Sequence, residues 1–133
     1  MNAPDYASPP VILVIDDEAT IREIVADILR MEGYSVITAA HGLTALEQVR
    51  AEPQRFALVL LDMIMPEING EMMVRRLHEI NPAIKIIICS GYTEQRLRNG
   101  FGTDEIAAFL PKPFQVHQLL TQVQQALAFP SHR

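Results

Sequence analysis

The chain has 133 residues, 49% hydrophobic and 20% charged, with a formal net charge of -5. That length suits one compact domain with a real core, and the acidic balance argues against general affinity for nucleic acid or an anionic membrane surface. The lone cysteine, Cys89, excludes an internal disulfide and a cysteine-rich metal site and fits a reducing cytoplasm, while the lack of a leader pattern or of an apolar run near the roughly 20 residues that cross a bilayer speaks against export and membrane insertion.

Residues 1–10 carry Pro4, Pro9 and Pro10 without apolar periodicity and read as a tail or linker. Val11 to Ile15 is continuously apolar and β-branched, the pattern of a central parallel strand covered on both faces, and it runs directly into Asp16, Asp17 and Glu18. Asp17 or Thr20 can cap the helix that follows, in which Ile21, Ile24, Val25, Ile28 and Leu29 share one face and Gly33 is the natural stop. Tyr34 to Ala39 reads as a second strand with Val36 and Ile37 internal. Leu43 to Arg50 reads as a shorter helix with Leu43, Leu46 and Val49 inward, closed by Pro53.

Phe56 to Leu61 forms the third strand and delivers Asp62 to its end, after which Met-Pro-Glu-Ile-Asn-Gly breaks the chain into a turn. Gly70 to Ile80 is a helix with Met73, Leu77 and Ile80 inside, and Asn81-Pro82 ends it. Lys85 to Cys89 is the fourth strand, followed by Ser90. Thr93 to Asn99 is a weak helix, and Gly100 to Glu105 a loop. Ala107 to Leu110 is a short fifth strand ending in Pro111-Lys112-Pro113-Phe114, and Gln115 to Leu127 is the last helix, with Val116, Leu119, Leu120, Val123 and Leu127 on one side. Strands alternating with helices predict an α/β fold: a single doubly wound, five-stranded parallel sheet over residues 11–128, with helices on both faces and a short tail at 129–133.

In such a sheet the carboxyl ends of the strands share one edge, so Asp16, Asp17, Asp62, Ser90 and Lys112 converge although they lie far apart in the chain. Three carboxylates in a partly dry crevice repel one another unless a cation is present, and a hard divalent ion such as Mg2+ suits an all-oxygen donor set. Lys112 adds a second positive charge, so the site should attract a dianionic group, most simply a phosphoryl group. The metal, the ammonium and the Ser90 hydroxyl would share its three oxygens, and an ionised Asp62 can serve as nucleophile without a general base. The structural alternatives are Asp16 and Asp17 as helix-start residues, Ser90 as a turn residue, Phe109 as core, and Cys89 as a buried small hydrophobe.

VILVIDDE, LVLLDMIMPEING, ICSGY and FLPKPF, in that order at strand ends, make the stretch from Val11 to Leu127 resemble the receiver domains of bacterial two-component response regulators. The resemblance implies a flavodoxin-like (βα)5 fold with strand order 2-1-3-4-5 and a phosphoacceptor at Asp62. It implies Mg2+ held directly by Asp17, Asp62 and the backbone carbonyl of Ile64, with Asp16 acting through water. It also implies a switch hydroxyl at Ser90, an aromatic switch residue at Phe109, and a cis Lys112-Pro113 bond presenting the lysine. The implied partner is a histidine kinase or histidine phosphotransfer protein. The implied output is altered partner affinity or homodimerisation through the face made by the fourth helix, fifth strand and last helix, with no direct binding of nucleic acid.

Three features depart from the family pattern. Phe109 lacks a tyrosine hydroxyl, Ile64 places an apolar side chain where many members have a polar one, and residues 99–106 lack the usual Gly-Ala-Asp run. The SGY and LPKPF sequences and the proline-bearing start are similar to receivers attached to hybrid sensor kinases. Two other classes stay open at this point: a constitutive binding or dimerisation module of the same fold, and an aspartyl-nucleophile phosphohydrolase. Against the latter, Ile64 occupies the position where such an enzyme needs a second carboxylate.

Overall fold

The computed structural model describes residues 11–62, 68–90 and 106–128. Five parallel strands, β1 (Val11–Ile15), β2 (Ser35–Ala39), β3 (Phe56–Asp62), β4 (Lys85–Ser90) and β5 (Ala108–Pro111), form one sheet in the order β2-β1-β3-β4-β5. Four helices are described: α1 (Ala19–Met31), α2 (Gly42–Ala51), α3 (Gly70–Ile80) and α4 (Val116–Ala128). The predicted helix over Thr93 to Asn99, the loop to Glu105, and the tails lie outside the described residues. The α/β, doubly wound reading holds, with helices on both faces and the predicted strand order.

The strands are apolar throughout because each face has its own core. Leu13, Ile15, Val59, Leu61, Ile86 and Ile88 face α2 and α3, where Leu46, Met73 and Leu77 meet them. The alternate residues, Ile12, Val14, Leu58, Leu60 and Ile87, face α1 and α4 and pack on Val25, Leu29, Leu119 and Val123. The period of two in a strand sends neighbouring side chains to opposite faces, so a strand covered on both sides loses the polar half of its pattern. Pro111 is tolerated because β5 is an edge strand and needs no second partner for the missing N–H.

Helix ends follow local chemistry. After α1, the N–H groups of Gly33 and Tyr34 bond the carbonyls of Arg30 and Leu29, with Gly33 at φ +98, which is a Schellman closure. Asn69 caps α3 by accepting the N–H of Met72 at 2.8 Å. At the start of α1, neither Asp17 nor Thr20 is the cap. Glu18 occupies that position without a side-chain bond, and Asp16 Oδ1 instead accepts the Glu18 N–H at 2.9 Å.

Three residues expected to point inward are exposed: Ile24, Leu43 and Val116, at 53%, 54% and 52%. Two of them lie off the buried face of their helix. In α1 the buried residues are Val25, Ala26 and Leu29, and in α2 they are Gly42, Ala45, Leu46 and Val49. Those residues make up the faces that meet the sheet, and Ile24 and Leu43 lie beside them on the solvent side. Val116 begins α4, whose buried residues Leu119, Val123 and Ala126 lie further along.

Candidate functional site

The carboxyl edge of the sheet is where the sequence predicts chemistry. β1 delivers Asp16 and Asp17, β3 delivers Asp62, and one ligand oxygen from each lies within 4.8 Å of the others. Asp16 is buried, Asp62 half-buried and Asp17 exposed, so the cluster opens to solvent on the Asp17 side. A metal seated there would meet three hard oxygen donors and no nitrogen or sulfur ligand among the described residues, a donor set that fits Mg2+. Ile64, the expected carbonyl ligand, lies outside the described residues.

Lys112 reaches this cluster from the chain just after β5. Its Nζ donates to Asp16 Oδ2 at 3.1 Å and stands 3.8 Å from Asp62 Oδ1, bridging the two acids. The Lys112 N–H also donates to the Ser90 carbonyl at 2.6 Å, and the Lys112-Pro113 peptide is cis, as the resemblance implies. Burial pulls the lysine pKa down, but the hydrogen bond to Asp16 and the charges of Asp62 and Asp16 outweigh that cost and hold it above its usual value. The ammonium is therefore a permanent charge at any physiological pH.

Asp16 is the most tightly held of the acids. Its N–H donates to the Ala39 carbonyl, its carboxylate accepts from Glu18 and Lys112, and its own carbonyl accepts from Arg22 Nη1 at 2.7 Å. Sequence reading missed Arg22, because the contact depends on how the first turn of α1 folds back over β1. The only signal available was a long cationic side chain shortly after an acidic pair.

Ser90 ends β4 fully buried. The side chains before it alternate between the two cores, Ile88 toward α2 and α3 and Cys89 toward α1 and α4, so Ser90 leaves the strand toward the α2 and α3 side. Phe109 is 7% exposed and packs in the same core as Ile88, its inward side being the one covered by α2 and α3. Cys89 sits beneath the acids with Asp62, Asp16 and Lys112 around a void of about 10 Å³, room for one water at most. Burial pushes its thiol up to about 12. The expectation of a buried small hydrophobe, not a nucleophile, therefore stands.

Beside the cluster runs an open apolar groove of about 410 Å³ between α1 and the start of α4. Ile21, Ile24, Val25 and Ile28 form one wall and Pro113, Phe114 and Val116 the other, with Lys112 at the end shared with the acids. The exposed Ile24 and Val116 belong to this groove.

With this fold and site in place, the comparisons with known proteins converge. The family model described as "Response regulator receiver domain" matches residues 12–124, and the chain belongs to that family. It is 35% identical over 126 residues to the sensor kinase CckA of Brucella abortus, a match covering 95% of this chain and 13% of that kinase. It is 32% identical to the response regulator receiver protein CpdR of the same organism, covering 87% of this chain and 95% of that one. Among solved structures, a CheY-like receiver domain protein from Methanospirillum hungatei superposes with a TM-score of 0.84 at 28% identity, covering 91% of this chain and 95% of that one. The acidic cluster is of the kind receiver domains use for phosphoaspartate chemistry with Mg2+ in phosphorelay signalling. No helix among the described residues is long and apolar enough to cross a membrane.

Proposed function

We propose that this chain is a phosphorylation switch in which Asp62 accepts a phosphoryl group from a phosphohistidine on a histidine kinase or histidine phosphotransfer protein. The observation that carries this is the convergence of Asp16, Asp17, Asp62 and Lys112, with a permanent ammonium 3.8 Å from the half-buried Asp62 carboxylate. An Asp62 oxygen attacks phosphorus in line, the P–N bond breaks, and the imidazole leaves with its electron pair and takes a proton from solvent. Bound Mg2+ would neutralise phosphoryl oxygens as charge develops on them. Asp17 and Asp62 would hold the ion directly and Asp16 through water, with the Ile64 carbonyl as the third protein ligand that the resemblance implies.

Lys112 shifts from the Asp16–Asp62 bridge onto a phosphoryl oxygen, and the Ser90 hydroxyl turns toward another. The group adds a charge of about -2 to the site. Phe109, already buried in the core shared with Ile88, repacks there, and the face made by β5 and α4 changes its affinity for a partner or for a second copy of the chain. The Ile64 side chain offers no group to orient an attacking water, so the acyl phosphate is slow to hydrolyse.

The apolar groove supports a protein donor. It adjoins the acids, shares Lys112 with them, and has open apolar walls of the kind against which an amphipathic helix carrying the phosphohistidine can pack. The CckA relative, which is named a sensor kinase, supports the same class of donor for this chain.

The test is phosphorylation by a small phosphodonor with Mg2+, read by intact mass. The expected result is a single added phosphoryl group that hydroxylamine removes and that is absent from Asp62→Asn. Persistence of the adduct in that variant, or its absence from the parent chain, overturns the proposal.

A further inference from the structure

We propose that Arg22 is a positioning residue for the metal-binding acid pair. Its guanidinium donates to the Asp16 carbonyl at 2.7 Å, and that carbonyl belongs to the peptide joining Asp16 to Asp17. Fixing this peptide plane fixes the direction in which Asp17, the exposed acid, leaves the backbone. Among the described residues the side chain of Asp17 has no comparable anchor: it is exposed, and its aim depends on the peptide behind it.

The arrangement also explains why two cations serve one acidic residue. Lys112 holds the Asp16 carboxylate at 3.1 Å, and Arg22 holds its carbonyl. On the reading given above, from which this inference proceeds, Lys112 is drawn onto the phosphoryl group during transfer. Asp16 then keeps its place through Arg22, the Glu18 N–H and the bond from its own N–H to Ala39. Arg22 is thus the contact that does not have to change partner. It sits on the first turns of α1 next to Ile21, a wall residue of the apolar groove, so it also ties that helix to the acids. The principle is the usual one for metal sites: groups behind the ligands orient them, and losing such a group costs roughly tenfold or more in metal affinity.

The experiment is a calorimetric Mg2+ titration of the parent chain, Arg22→Ala and Arg22→Lys, with thermal unfolding of each in the absence of Mg2+. The expected result is a Kd about tenfold weaker in Arg22→Ala, partly restored in Arg22→Lys, whose single ammonium can still reach a carbonyl. Unfolding temperatures without Mg2+ should agree within a few degrees, and phosphorylation of Arg22→Ala by a small phosphodonor should recover at saturating Mg2+. An Arg22→Ala Kd within twofold of the parent overturns the role. So does a weakening that Arg22→Lys does not relieve, or one matched by loss of the fold without Mg2+. Should Arg22→Ala fail to fold, Arg22→Lys and Arg22→Gln are compared, and equal affinities in these two overturn the role as well. A parent chain that binds no Mg2+ overturns the receiver reading, and this inference with it, whereas normal binding in both parent and Arg22→Ala removes Arg22 alone.

Discussion

At Cys89 the surroundings decide what a residue can do. The thiol lies on β4 beside the register partner Asp62, is 7% exposed, and faces a void too small for any reagent. Its pKa is pushed up by burial from the ordinary 9.0 to about 12, against the opposing pull of Lys112. The folded chain should therefore resist alkylation at pH 8 while the denatured chain reacts within minutes, measured by mass shift. The sign of the linkage also follows. Between pH 9.0 and about 12 the unfolded thiol gives up its proton and the folded one keeps it, so stability is full below that window and falls as pH rises through it. Cys89→Ala should flatten the alkaline decline of the urea midpoint from pH 9.0 upward, and an unchanged slope would refute the assignment. The identity of the reacting groups was legible at this scale: Asp16, Asp17, Asp62 and Lys112 stand where the alternation of strands and turns puts them. Arg22 was not legible, since a contact across six positions depends on the path of a helix start.

Among the elements, α1 shows how packing overrides periodicity. Of the expected stripe, Val25 and Leu29 are buried and Ile21 and Ile28 pack partly against the same core, while Ile24 alone is exposed and Ala26, not expected, is buried. Ile21, Ile24 and Ile28 together line the groove wall, Ile24 with the most exposed side chain. The end of the same helix was read correctly, because a glycine closure is a local matter. At Gly33 the positive φ is the whole constraint, for a Cβ there would meet nothing within 4 Å. Gly33→Ala should accordingly cost about 1 kcal/mol, all of it backbone strain, with the urea midpoint lowered and the slope unchanged. A cost near zero would show that the turn relaxes.

For the whole molecule, the proposed function makes the groove and the acids one surface with two tasks, docking and chemistry. Ile24→Ser and Val116→Ser change residues that are more than half exposed, so stability should move by less than about 0.5 kcal/mol. Phosphotransfer from a protein phosphohistidine donor should slow at least severalfold, while phosphorylation by a small phosphodonor stays unchanged, as measured by time courses with both donors. Equal losses with both donors would place the defect in the acid site, and no loss with either would remove the groove from docking. The chain spans 95% of one curated relative and 13% of another, so the same module works within proteins of very different length.

The order of strands and helices, the two-sided burial of the sheet, and the set of chemical groups at its carboxyl edge followed from the sequence, because they depend on backbone periodicity and on turns whose causes lie within a few residues. Only the tertiary structure decided that Ile24, Leu43 and Val116 face outward, that Asp16 is buried while Asp17 is not, that Lys112 bridges Asp16 and Asp62, and that Arg22 grips the peptide between the acids. Those facts depend on how far each helix rotates and how closely it approaches the sheet, and that is set by the volumes of side chains brought together from distant parts of the chain.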